Sequence, residues 1–212
     1  VARRMGYVAS FMAKPNLPNI FAIGWHLHQS LADKTTGKNL FTADDTLLSD
    51  TGRYYVGGLL QHVRAGAAFS NPTINGYKRL NANPLSPKRA VWSIDNKAAM
   101  CRLVVGQGYP ATRIENRIGE PAANPYLYLA SQIHAGLDGI QRRLRAPPAT
   151  DAPYGSLDTR LPTSLNEALD ALLADPVLVD AFGSTFVNYL VQVKRAEASR
   201  YEAAVDKIDF HR

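Results

Sequence analysis

Hydrophobic periodicity changes along this chain in blocks, and the order of the blocks limits the folds open to it. Alternation at every second residue, the mark of a half-buried strand, occurs in "WHLHQS" (Trp25–Ser30), "RAVWSI", "MCRLVV" and "TRIENR". Spacing near four marks "SDTGRYYVGGLLQHVRAGAAF", where Tyr55, Leu59 and Val63 share one helical face behind a Ser49 or Asp50 cap. A second helix begins at Asn124, with Pro125 at its first position and Leu127, Ile133, Leu137 and Ile140 as its apolar stripe. Arg142, Arg143 and Arg145 close it where cations complement the helix dipole. Further on, Ser164 and Glu167 form a capping box, and "STFVNYLVQVKRAEASRYEAAVDK" reads as a last long helix. Strands and a helix, then a strand cluster, then helices predict an α+β domain rather than a doubly wound sheet.

Between these blocks, "SNPTINGYKRLNANPLSPKR" reads as loop from its Asn, Pro and Gly. Tyr7–Met12 forms an apolar, strand-like run, and the first residues lack an initiating methionine, which predicts a chain whose amino-terminal part is missing. A chain of 212 residues with 46% hydrophobic content can bury a core. Its net charge of +6 is scattered, with no block of like charges, so no nucleic-acid partner is expected. The single cysteine, Cys101, excludes an internal disulfide and a cysteine-based zinc site, and suits a reducing cytosol. No apolar run approaches the ~18 residues of a membrane span, and no signal-peptide pattern is read in these residues, so no membrane association is expected.

Three constellations could carry chemistry. His26 and His28 share a strand face with Ser30, and two imidazoles so placed can reach one metal, or can be ordinary half-buried histidines. Arg113, Glu115 and Arg117 project from one side of their strand, as an ion-pair array or as a carboxylate metal ligand flanked by anion-binding guanidiniums. Arg79, Lys97 and Arg102 add cations nearby in the order of elements. A hard divalent ion on glutamate beside cations is what Mg²⁺-dependent phosphoryl transfer requires. Neither a glycine-rich phosphate loop nor a serine elbow occurs.

The segments "FMAKP", "GWHLHQSL", "NPTINGYKRL", "IDNKAAMCRLV", "RIENRIGEPAANPYLYLASQIHAGLDGI" and "LPTSLNEALDAL" occur in the order seen in the carboxyl-terminal half of the glutamine synthetase catalytic domain, which this chain resembles from about Gly6 to its last helix. The resemblance implies a curved, mainly antiparallel sheet with packed helices, residues 1–212 forming the carboxyl-terminal portion of the catalytic domain without the amino-terminal β-grasp domain and first catalytic strands. It implies an ATP- and Mg²⁺- (or Mn²⁺-) dependent ligase, cytoplasmic and ring-forming (homo-oligomeric, up to a dodecamer), that activates glutamate as an acyl phosphate for attack by ammonia or an organic amine. Position by position, His26 and Glu115 match metal ligands, and His28, Ser30, Arg102 and Arg113 match nucleotide-contacting positions. Arg79 matches the arginine that grips substrate glutamate, Lys97 a catalytic arginine, and Arg117 the arginine near the transferred phosphoryl group. By itself the fragment is expected to be inactive, since the other metal-binding glutamates of the family lie upstream.

Departures from the family pattern narrow the expectation. The Asn-Gly pair that helps seat glutamate is replaced by Phe21 and Ala22, and the flap glutamate that takes a proton from ammonium falls on Leu85. A leucine has no ionisable group with which to do so. Lys97 keeps charge but not the planar fork of arginine. These changes resemble the branch that joins glutamate to organic amines, with glutamine synthesis and a non-catalytic, scaffold-keeping relative as the alternatives. Tyr154, near where some members carry an adenylylated tyrosine, lacks the acidic surroundings and reads as a loop tyrosine.

Overall fold

A computed structural model of the chain describes residues 1–82, 85–106 and 109–209. A four-stranded sheet comprises β1 (Leu27–Gln29), β2 (Trp92–Ile94), β3 (Cys101–Val104) and β4 (Arg113–Asn116), in the order β1-β4-β3-β2. β4 pairs antiparallel with β1 and with β3, while β2 and β3 run parallel. The helices are α1 (Asp50–Ser70), α2 (Ile74–Ala82), α3 (Pro125–Gln141), α4 (Leu165–Leu173), α5 (Pro176–Phe182) and α6 (Ser184–Asp209). The expected α+β class and mainly antiparallel sheet are both observed.

α1 and α3 carry the core. Ser49 caps α1 by accepting from the Gly52 amide at 3.1 Å, and Tyr55, Leu59 and Val63 are buried as the spacing predicts. Asn124 caps α3 through the Tyr126 and Leu127 amides, with Pro125 at the first helical position. The buried face of α3, however, matches the predicted apolar stripe only in part: Leu127 and Ile140 pack against the core. Ile133 and Leu137 are exposed, and Tyr128, Ser131, Gln132, Ala135, Gly136 and Gly139 face inward. The reason is distance between backbones. A methyl on Gly58 would lie 2.0 Å from the Ala135 carbonyl oxygen, and one on Gly139 would lie 2.2 Å from the Tyr54 carbonyl oxygen. Small residues let the two helices touch through their main chains there, and Ile133 and Leu137 turn away.

The sheet lies against these helices through one face. Cys101, Leu103 and Ile114 from that face are buried, and Asn116 and Gln29 meet Gln132 of α3 through side-chain amide bonds of 2.6 and 3.4 Å. Tyr55 of α1 donates to Gln29 at 2.8 Å, completing a polar seam between sheet and helices. Burial pushes the Cys101 thiol up to about 12.

Several expectations require correction. Tyr7–Met12 is not a strand: no described strand pairs with it, its larger apolar side chains are exposed, and alternation without a partner does not make a ladder. The Asn-Gly-rich segment expected as loop contains α2, because Tyr77 and Leu80 are buried one turn apart and their packing outweighs local turn preference. Asn83 and Pro84 of that segment lie outside the described residues. The capping box at Ser164 and Glu167 begins α4 as expected, but α5 intervenes before the last helix, capped by Asp175 with Pro176 at its first position. Phe182 of α5 stacks on Phe69 of α1, ring centroids 4.3 Å apart.

His62 ties these helices together. Its Nε2 meets Asp138 of α3 at 2.9 Å and its Nδ1 meets the α5 cap Asp175 at 2.6 Å, while Arg142 also donates to Asp138. Ionised carboxylates only accept, so both ring nitrogens carry protons when both contacts are hydrogen bonds. Burial opposes that charge, but the bonds to Asp175 and Asp138 raise the pKa of His62 above its ordinary value. Arg64, Glu167 and Asp170 line the adjoining cleft. Because the folded value is raised, the contribution is complete below the unfolded value of about 6.5 and is lost as pH rises through the folded one. Urea unfolding should therefore show stability falling as pH rises above about 6.5. His62→Ala, which strands two carboxylates, should lose about 3 kcal/mol below that pH and remove that slope. Parallel pH curves for the two proteins would contradict this.

Candidate functional site

On the sheet face away from α1 and α3, one rung places His28, Glu115 and Arg102 directly opposite one another on β1, β4 and β3. Alternation along each strand sends polar groups to this face and apolar groups to the core, which is how a three-residue strand can carry both. Glu115, only 4% exposed, is the centre. Its Oε2 accepts from Arg102 Nη1 at 2.9 Å, and its Oε1 lies 2.9 Å from His26 Nδ1, 3.5 Å from Arg117 Nε and 3.9 Å from His28 Nε2. Arg113 Nε donates to His28 Nδ1 at 3.1 Å.

The charges set the protonation states. Burial works to raise the Glu115 carboxyl, but Arg102, Arg117 and His26 hold it below its usual range, so it is ionised. His26 is lowered by burial first and by Arg117 second, against the pull of Glu115, which favours the neutral imidazole. Burial also lowers Arg117, which is 9% exposed, and its Nε and Nη1 are buried without a hydrogen-bond partner among the described residues. A guanidinium so placed is set to receive an anionic oxygen.

Of the residues singled out from sequence, His26, His28, Arg102, Arg113, Glu115 and Arg117 come together here. Arg79 arrives from α2 but points inward: 3% exposed, it donates through Nη1 to the Ile118 and Gly119 carbonyls (2.8 and 3.2 Å) and through Nη2 to the Arg117 carbonyl at 3.0 Å. Burial brings its pKa down to about 10. Ser30 is exposed just after β1, and Lys97 is exposed in the turn between β2 and β3, both outside the set of side chains that meet at Glu115 among the described residues. Leu85 is 64% exposed and Phe21 80%.

One participant escaped sequence reasoning. Asp95, in the left-handed region at φ 49°, receives Arg102 Nε at 2.9 Å and braces that guanidinium against Glu115. Its signal was the turn-prone "DNK" after β2. Tyr154 lies in a turn, as its reading as a loop tyrosine expects.

For a divalent ion the donors fit in part. A neutral imidazole nitrogen and an ionised carboxylate oxygen already converge, which suits two ligands of such an ion. Among the described residues no group of three or more His, Cys, Asp or Glu side chains could enclose one. The larger clefts, of about 550 and 570 Å³, border α1 near Gln61 and Arg64, and none of the cluster residues lines them.

Gly24 fixes the entry to β1. A methyl there would lie 2.4 Å from Arg79 Nη2 and 2.7 Å from His26 Nε2. Gly24→Ala should therefore displace one or both side chains and cost about 2 kcal/mol in thermal or urea unfolding. Unchanged stability would show that this contact tolerates a side chain.

Residues 1–212 match the family described as "Glutamine synthetase, catalytic domain". A γ-glutamylanilide synthase from Acinetobacter sp is 50% identical over 205 residues, covering 95% of this chain and 41% of the relative. A glutamine synthetase from Vibrio alginolyticus is 38% identical, covering 99% of this chain and 47% of that protein. A solved structure described as "Apo GmaS without ligand" superposes with a TM-score of 0.83 at 36% identity, over 95% of this chain and 47% of its own. The chain thus spans about half the length of the relatives it matches.

Proposed function

We propose that this chain, which belongs to the glutamine synthetase family through its catalytic domain, is part of an ATP-dependent ligase joining the side-chain carboxylate of glutamate to an arylamine. The observation that carries the reading is the Glu115 cluster: an ionised, buried carboxylate against a neutral imidazole, ringed by guanidiniums with unspent donors. His26 and Glu115 would hold a divalent ion, which when bound supplies neutralisation of phosphate charge. Arg102 and Arg113, partly exposed on the open face, would bind nucleotide phosphates beside His28 and Ser30. Arg117 would offer Nε and Nη1 to the phosphoryl group as it moves to the carboxylate, a donor pair already oriented before substrate arrives. Arg79 would serve glutamate recognition by shaping the 117–119 backbone, and Lys97 would supply positive charge from its turn. The remaining metal ligands would come from outside this chain, within a cytoplasmic homo-oligomer.

The amine follows from what the flap position lacks. Ammonium and alkylammonium ions must lose a proton before they can attack, and Leu85 has no group to take it. An arylamine is already unprotonated near neutral pH and presents an apolar ring. Exposed Leu85 and Phe21 suit that ring, and the 50% identical relative is named for an anilide product.

Phosphate release by the intact protein with ATP, Mg²⁺ and glutamate is expected to be at least about tenfold faster with aniline than with equal ammonia or alkylamine, an energy difference of about 1.4 kcal/mol. Leu85→Glu should narrow that ratio. Release with ammonia alone would assign glutamine synthesis instead, and no release with any amine would overturn the ligase reading.

A further inference from the structure

We propose that Glu120 is a positioning residue that locks the strand-exit loop carrying Arg117 to the start of α2. Residues 117–120 leave β4 with few bonds of the sheet ladder to hold them. The Arg117 amide still reaches the Met100 carbonyl at 2.9 Å and the Glu120 amide reaches the Ser70 carbonyl at 2.9 Å, and between them the loop is held largely by side chains. Two links run between this loop and α2 in opposite directions. From α2, Arg79 donates to the carbonyls of Arg117, Ile118 and Gly119. From the loop, the Glu120 carboxylate accepts the Thr73 amide at 2.9 Å and the Thr73 hydroxyl at 2.8 and 2.9 Å on its two oxygens.

Together these links close a ring: Glu120 to Thr73, along α2 to Arg79, and back to the three residues before Glu120. Neither link has slack. Glu120 is 0% exposed, and a methyl on Gly76 would sit 2.7 to 2.9 Å from its carboxyl atoms, so α2 rests directly on the carboxylate. The carboxylate sits at the amino-terminal end of α2, where the helix dipole favours a negative charge. Burial raises its pKa above the usual carboxylate value, against the opposing pull of the Thr73 bonds and of Arg79 on α2 and Lys194 on α6. A third strand of chain is drawn in, since Trp25 donates its amide to the Gly119 carbonyl at 2.8 Å. The ring therefore holds Arg117 by its backbone while two of its guanidinium nitrogens make no hydrogen bond among the described residues. Glu120 touches neither metal-binding nor nucleotide-binding candidates; it acts through Arg117.

The inference rests on the ligase reading for its kinetic form, and a second measurement is independent of it. In the intact protein, Glu120→Ala should lower kcat about 10- to 100-fold while KM for ATP changes less than about threefold, because Arg102 and Arg113 lie on strands outside the ring. Glu120→Gln, which keeps an oxygen for the Thr73 amide, should stay within about threefold of wild type in both. Adding Gly76→Ala to Glu120→Ala fills space without restoring the acceptor and should not recover kcat. Hydrogen exchange of the same proteins should show faster exchange in residues 70–79 and 117–120 for Glu120→Ala only, with α4 unchanged. Absence of turnover in the wild type would remove the ligase reading alone, and exchange would then decide. Unchanged exchange at 117–120 in Glu120→Ala, recovery of kcat by Gly76→Ala, or equal loss in Glu120→Gln would overturn the role of Glu120.

Discussion

α1 and α3 touch main chain to main chain, and the placement of the sheet follows from that contact. Gly58 and Gly139 bring the backbones of α1 and α3 together, Gly136 makes room for the Tyr55 ring, and Gly57 lies against the Leu144 carbonyl just past α3. Contact at that distance leaves the helices one rotational setting. It brings Tyr55 and Gln132 to the seam under the sheet, where Gln29 and Asn116 are waiting, and so fixes how β1 and β4 sit on the helices. The outer face of the sheet inherits that register. A shift of one residue in β4 would turn Glu115 into the core and Ile114 or Asn116 outward.

The charged cluster is stable for the same reason that it is reactive. A buried carboxylate alone would take up a proton, and three buried or half-buried guanidiniums alone would repel one another. Glu115 pairs with Arg102 and Arg117, Asp95 shares Arg102, and Arg113, which turns to His28, leaves one positive charge in excess. An incoming polyanion supplies the missing balance. The protein therefore holds its donors in place with its own carboxylates and keeps some unspent, an arrangement in which binding an anion requires little reorganisation.

Much of this was legible in the chain. Period-two alternation in "WHLHQS" and "TRIENR" gives the shared face of His26, His28, Glu115 and its arginines, because alternation is a property of a single strand. What alternation cannot give is partnership. Tyr7–Met12 has the pattern of a strand and no described neighbour, and nothing in its residues distinguishes it from "RAVWSI". α2 was hidden by its Asn-Gly pair, and the inward face of α3 by its glycines, since both are decided by a partner element distant in sequence. Arg79 illustrates the same limit at the level of one side chain: its type predicts an anion partner, and it spends its protons on carbonyls.

The single thiol of the chain lies at the centre of the sheet. Cys101 is 1% exposed, its sulfur packed behind β3, and its thiol is held far from ionisation. Only the thiolate reacts with electrophiles and oxidants, so in the closed fold this atom is inert. Chemistry at Cys101 requires β3 to part from the helices beneath it. The molecule thus carries a built-in reporter: the rate at which Cys101 is alkylated counts the openings of the very sheet whose other face bears Arg102 and Glu115.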